Sequence, residues 1–187
     1  MPHVTIYGFP PSTYVQSARL VCAEAGVDHA LAPLEFKKPS HFALHPFGKM
    51  PVLEHGEVRV YETLAIAAYV DDVFNEGALQ PRSPAERAAM LQWTSVAIDY
   101  AYPALVGGLH EPNAETISAA GAMLKSLDAQ LEGEHLVGDG PTLADFMLYP
   151  MMAFGLGKLK SKPKGIASLT SWYDRMRQRS SVKAILQ

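Results

Sequence analysis

The chain has 187 residues, 48% apolar and 19% charged, with a formal net charge of −3. That is ordinary globular composition, enough for a real core in one large domain or two small ones. A single cysteine, Cys22, excludes an internal disulfide framework and any multi-cysteine zinc site, and it fits a reducing compartment. No stretch approaches the ~20 apolar residues of a membrane span, and no basic-then-apolar leader opens the chain, so a cytosolic protein without membrane contact is expected. The lysine run Lys158, Lys160, Lys162 and Lys164 is broken by Ser and Pro and has no interleaved aromatics. A solvated loop is expected there, not a nucleic-acid surface.

In chain order, His3 to Tyr7 alternates as a strand, with Val4 and Ile6 on one face. Gly8-Phe9-Pro10-Pro11 breaks it. A helix begins at Ser12 or Thr13, both good caps, carries Val15, Ala18, Val21, Cys22 and Ala25 at helical spacing, and stops at Gly26. Cys22 belongs to its apolar face. His29 to Phe36 reads as a second strand, placed at an edge by Pro33. A loop follows from Lys37 to Phe47, with a helical turn around Ser40 to Leu44.

The stretch from His45 to Val70 carries the most information. After Met50-Pro51 comes a short strand (Val52-Leu53), a turn at His55-Gly56, a second strand (Val58 to Tyr61) and an abrupt helix start at Glu62-Thr63. Proline at a strand's first position frees the preceding backbone for other partners, so Met50 can offer its amide and carbonyl to an extended ligand. At Glu62-Thr63 the unpaired first amides of the helix suit a carboxylate, and Glu62 suits an amine. The combination points to a small zwitterionic peptide.

The rest is helical. The expected linker is Glu76 to Arg82. Ser83-Pro84-Ala85-Glu86 predicts a helix with a capping box, running through Leu91, Trp93 and Ile98 and kinked at Pro103. Asn113 caps another, with a seam of Ile117, Ala120, Leu124, Leu127 and Leu131 ending at Gly133. Thr142-Leu-Ala-Asp145 is a further capping box, and short helices near 169–179 and 182–186 finish the chain. The expected organisation is an α/β domain at 1–75, a linker at 76–82 and an all-helical domain at 83–187.

These residues together resemble the glutathione transferase superfamily, in particular its serine-type members of bacterial, phi and tau kind, over almost the whole chain. The resemblance implies a thioredoxin-like N-terminal domain followed by a helical bundle. In the family's frame Ser12, Tyr14, Val15, Arg19 and Gly26 fall without a gap on the pattern in which the catalytic serine lies fourteen residues before the helix-ending glycine. Ser12 would then donate its hydroxyl to the glutathione sulfur and hold it as thiolate, against a free-thiol pKa of ~8.5. Tyr7, at the end of the first strand, and Thr13 remain alternatives. Ser12 stands where thiol-reductase members carry cysteine, which argues against mixed-disulfide chemistry.

The resemblance also implies the remaining contacts. Met50 precedes the family's cis-proline, here Pro51, and pairs with the cysteinyl part of glutathione. Glu62 and Thr63 match the acidic-Ser pair that binds the γ-glutamyl end, while Lys49 and Lys38 match basic positions facing the glycine carboxylate. His45 stands where members usually show Asn. Thr142 and Asp145 match a structural box. The expected activity is conjugation of glutathione, as co-substrate and without a metal, to a small apolar electrophile. That electrophile would lie between the domains against Phe9, Pro10, Tyr14, Tyr100, Tyr102 and Leu105, although aromatics at such spacing are also common interdomain core. A homodimer is the family's habit, with Phe47 and the helix at Thr63 as candidate contacts. Isomerase or peroxidase chemistry on the same thiolate, or a binding module without turnover, remain open.

Overall fold

The computed structural model describes residues 3–159 and 163–186. It divides into two compact units, one running to Ala78 and regaining the chain from Ser180, the other spanning Leu79–Arg179. The C-terminal return departs from the expectation that everything after residue 82 belongs to the helical domain.

The first unit contains β1 (Val4–Tyr7), α1 (Thr13–Glu24), β2 (His29–Ala32), α2 (Pro39–Leu44), β3 (Val52–His55), β4 (Val58–Tyr61), α3 (Thr63–Phe74) and, from the C-terminus, a last helix (Ser180–Leu186). The sheet order is β2-β1-β3-β4. β1 and β2 are parallel, joined by α1 as a parallel pair requires, and the other two pairings are antiparallel. β2 lies at an edge and stops before Pro33. Val4 and Ile6 point inward beside Leu53, Val15, Val21, Ile66 and Val70, all essentially buried. The last helix packs on α1, where Ser181 donates to Glu24 Oε2 at 2.5 Å.

The second unit contains α4 (Pro84–Val96), a π-helical segment (Ala97–Gly107), α5 (Ala114–Gln130), α6 (Leu143–Lys158) and α7 (Ala167–Gln178), which makes the last helix, at Ser180–Leu186, α8. No strand occurs here among the described residues. α6 is buried nearly all round from Leu143 to Met152, as the central helix of a bundle must be. Gly155 lets it approach the π segment: a Cβ there would stand 3.1 Å from that of Leu105.

Several details differ from expectation. Pro103 does not kink an α-helix; it lies within the wider π turns, closed by the Gly108 amide bonding the Pro103 carbonyl at 2.8 Å. The wider turn relieves the clash between the proline ring and the preceding turn. Ser83 makes no side-chain cap bond, so that capping box is not formed. The Glu86 carboxylate instead reaches to within 3.7 Å of a Cβ built at Gly138. Ile117 is 44% exposed and leaves the α5 seam to Ala120, Leu124 and Leu127, and α5 ends at Gln130, before Gly133. The expected linker includes buried Leu79, whose carbonyl accepts the Leu143 amide at 3.1 Å. In the lysine run, Lys158 lies over the Phe154 ring at 5.4 Å, while Lys160 and Lys162 lie outside the described residues.

Candidate active site

The strand register gathers four loops. Tyr7 pairs with Ala32 on one side and Val52 on the other, and Val52 pairs with Tyr61. The ends of β1, β2 and β4 and the start of β3 therefore lie side by side. From that end of the sheet leave the turn to Ser12, the loop to Lys38, the Met50-Pro51 approach and the Glu62-Thr63 start of α3. Gly8 makes the first turn possible, because a Cβ there would overlap Val15.

Ser12 is the N-cap of α1, half-buried, and its oxygen accepts the Val15 amide at a long 3.4 Å. The hydroxyl proton is not used by that bond. Thr13 next to it is 3% exposed with its hydroxyl unpartnered, facing the interior. Tyr7 donates to Glu54 Oε2 at 2.8 Å, and that bond, with burial, raises its pKa above the ordinary phenol value. Cys22 is fully buried and its thiol is pushed up to about 12 by burial, so it is inert.

Glu62 opens α3 with φ +71 and no side-chain cap bond, and its side chain is 67% exposed. A non-glycine residue at such φ costs on the order of 1–3 kcal/mol and is a feature of functional sites. The Glu62 side chain does not cap the first amides of α3, the kind of group that suits an anion. Thr63 is 6% exposed at the first helical position. The Met50–Pro51 peptide is cis, Pro51 is buried, and Met50 lies just outside the ladder. Lys38 and Lys49 are exposed.

Two histidines hold this edge, and sequence reasoning assigned them no role. His41 is fully buried; it accepts the Lys37 amide at Nδ1 (3.0 Å) and faces the Lys49 carbonyl from Nε2 (2.8 Å). The first bond places the proton on Nε2, so His41 donates to Lys49 and ties both lysine-bearing segments together. Gly48, at φ +59, lets the chain pass Phe42, which a Cβ would meet at 2.7 Å. His45 is 1% exposed, with its Nε2 3.9 Å from Glu62 Oε1. Burial lowers its pKa against the opposing pull of Glu62. A lone histidine in a polar loop carries no sequence signal for either role. The Glu54–Arg59 pair, at 2.7 Å, also went unread in the sequence; the hairpin turning at Gly56 sets those residues opposite each other.

The apolar candidates do not all share surroundings. Phe9 lies 6.0 Å from Phe36, ring to ring, while Pro10 is exposed and Tyr14 half-buried. In the helical unit Tyr100 lines a cleft of about 330 Å³ with Gln92, Trp93, Val96, Met123 and Leu127. Leu105 is fully buried on the side of Gly155, and Tyr102 is half-buried. The described residues hold no cluster of three or more His, Cys, Asp or Glu able to bind a metal ion.

Comparison with known proteins decides the family. The family model for the glutathione S-transferase N-terminal domain matches residues 2–72, and that for the C-terminal domain matches residues 109–187. The chain belongs to the glutathione S-transferase superfamily. It is 27% identical over 215 residues to glutathione S-transferase 1 of Triticum aestivum, covering 99% of this chain and 94% of that one. Its identity to glutathione S-transferase 4 of Zea mays is 43% over 74 residues, covering 37% of this chain and 33% of that one. Among solved structures, the theta class glutathione S-transferase of Xanthomonas axonopodis pv. citri, with glutathione bound, superposes with a TM-score of 0.83 at 25% identity, covering 100% and 99% of the two chains. Poplar glutathione transferase F1 shares the fold, with a TM-score of 0.85 at 23% identity and 100% and 97% coverage. The thioredoxin-like sheet and the helical unit are this superfamily's two domains.

Proposed function

We infer that this superfamily member is a glutathione transferase in which Ser12 activates the thiol. The observation that carries the reading is the gathering of Ser12, Met50 and Glu62-Thr63 at one end of the sheet by the pairing of Tyr7, Val52 and Tyr61. Glutathione extended along that end meets Glu62 with its ammonium and the open amides of α3 with its α-carboxylate. The Met50 backbone faces its cysteinyl part, and Lys38 and Lys49 face its glycine carboxylate. The sulfur then lies at the start of α1. There the Ser12 hydroxyl donates to the thiolate and the helix dipole favours its charge, while the thiol proton leaves to solvent. Each unit of pKa lowering is worth about 1.4 kcal/mol. Attack on the electrophile follows from holding the two reactants within reach.

Two observations favour Ser12 over its alternatives. The Tyr7 hydroxyl is engaged by a carboxylate that raises its pKa, opposite to what thiolate stabilisation needs. The Thr13 hydroxyl is buried. The second substrate is a small apolar electrophile, a reading supported by half-buried Phe9 and Tyr14 near Ser12 in the chain. A homodimer is supported by apolar side chains left exposed in the first unit, Phe47 at 69%, Val73 at 48% and Val58 at 42%. A cytosolic location is supported by the lone, buried thiol; no helix among the described residues is long and apolar enough to cross a membrane.

The test is the ultraviolet absorbance of glutathione thiolate in the presence of the protein, followed against pH. The signal is expected to appear a unit or more below free glutathione, and to return towards the free value in Ser12→Ala with glutathione affinity retained. A wild-type curve superimposed on that of free glutathione would sink the activation step.

A further inference from the structure

His45 is a buried group that the chemistry above does not use. The Phe47 amide donates to its Nδ1 at 3.3 Å, so the neutral ring carries its proton on Nε2. That atom stands 3.9 Å from Glu62 Oε1, longer than a hydrogen bond but within ion-pair distance. The ring is fixed by packing, with its centroid 4.8 Å from that of Tyr61 and 6.2 Å from that of Phe47. Glu62 thus pairs an exposed carboxylate with a rigid, buried donor behind it.

We propose that His45 is a positioning residue for Glu62, its Nε2–H dipole drawing the carboxylate across that short gap to where it meets a ligand ammonium, and that a protonated His45 competes with that ammonium. The inference rests on the glutathione reading. The groups facing His45 are Glu62 from the start of α3, His41 from α2, Lys49 ahead of β3 and the Tyr61 ring of β4. Glu62 favours the imidazolium, while burial above all, then His41 and Lys49, opposes it, so the ring titrates below the ordinary histidine range. His45 is therefore neutral at neutral pH, and the site is open to an ammonium. As pH falls through the His45 pKa, the new cation pairs with Glu62 and repels the ligand's amine. By linkage, the bound ammonium must in turn lower the His45 pKa.

The experiment uses S-methylglutathione, whose blocked sulfur removes the thiol's own titration. Its dissociation constant is measured by calorimetry from about pH 7.5 to about pH 5. In the wild type it should rise about five-fold or more across the His45 titration. His45→Asn keeps an acceptor for the Phe47 amide but loses Nε2; it should bind more weakly at the upper pH and show no acid loss. His45→Gln, with an amide nitrogen near the Nε2 position, should keep the affinity and also lose the acid limb. Binding with one shared pH profile in the wild type and both variants overturns the inference alone. Absence of binding by the wild type at every pH overturns the glutathione reading, and the inference with it. Should neither variant fold, the His45 imidazole titration in the wild type decides, followed by NMR with and without S-methylglutathione. A downward shift on saturation supports the proposal, and no shift overturns it.

Discussion

Two carboxylates stand at helix starts in this protein, and they are treated in opposite ways. Asp145, at the third position of α6, is fully buried and accepts from the Leu136 amide (3.1 Å), the Thr142 amide (2.8 Å), the Thr142 hydroxyl (3.1 Å) and the Trp172 indole (2.7 Å). It stitches the loop before α6 and helix α7 to the start of α6. Glu62, at the start of α3, is exposed, caps nothing and sits at a left-handed φ. A helix dipole favours both charges. What separates them is satisfaction: Asp145 has spent its acceptors inside the fold, whereas Glu62 leaves its own exposed at the cost of backbone strain, as the proposed role in binding a ligand ammonium requires.

The contrast is broken most directly at Asp145. Asp145→Ala strands four buried donors and should cost about 3–5 kcal/mol, a large part of a domain's ~5–15 kcal/mol. Urea unfolding reads this, and a loss below about 1 kcal/mol would remove Asp145 as the organising group. Ser12→Ala comes next. It should lower stability in urea by only about 0.5–1 kcal/mol, the loss of one long N-cap bond to the Val15 amide, but lower kcat/KM for conjugation about 10–100-fold, the thiolate fraction lost for one to two pKa units. Glu62→Gly sharpens the comparison because its two readouts move in opposite directions. Relief of the positive φ should raise stability by about 1 kcal/mol, while glutathione affinity falls about ten-fold or more. A stability loss there would mean that Glu62 is structural after all.

Much of this was legible in the chain. Ser12 before an apolar helix, Pro51 before a strand, and Asn113 and Thr142-Asp145 as caps are local signals, and local chemistry decides them. The expectation failed where a distant partner intervened. Ser83-Glu86 has the letters of a capping box, yet Ser83 makes no side-chain cap bond and the Glu86 carboxylate lies near Gly138, more than fifty residues away in the chain. The return of α8 to α1 through Ser181 and Glu24 has no marker in either segment. The partners of His41 and His45, namely Lys37, Lys49 and Glu62, come together only when the chain around α2 folds against the approach to β3 and the residue that opens α3. Ile117 fits the helical period of its seam but faces solvent, because period gives the face and not where the seam's packing stops.

The smallest effect is expected at Tyr7, and it bears on which hydroxyl serves the sulfur. Tyr7→Phe removes a bond to Glu54, which keeps Arg59 at 2.7 Å and is partly solvated, so the loss should be only about 0.5 kcal/mol. Its pH dependence is diagnostic. Tyr7 has its pKa raised, chiefly by the Glu54 bond, so its contribution is complete below the unfolded phenol value of about 10 and is lost as pH rises through the folded one. Glu54 has its pKa lowered, first by Tyr7 and then by Arg59, so its contribution is present above an unfolded value of about 4.3 and is lost as pH falls through the folded one. The stability gap between wild type and Tyr7→Phe should be widest between these limits and close on both sides. Conjugation should be unchanged, because a phenol held by a carboxylate has its proton committed. A fall in kcat/KM matching that of Ser12→Ala, with the same loss of thiolate absorbance, would transfer the activating role to Tyr7 and require the Glu54 bond to break when glutathione binds.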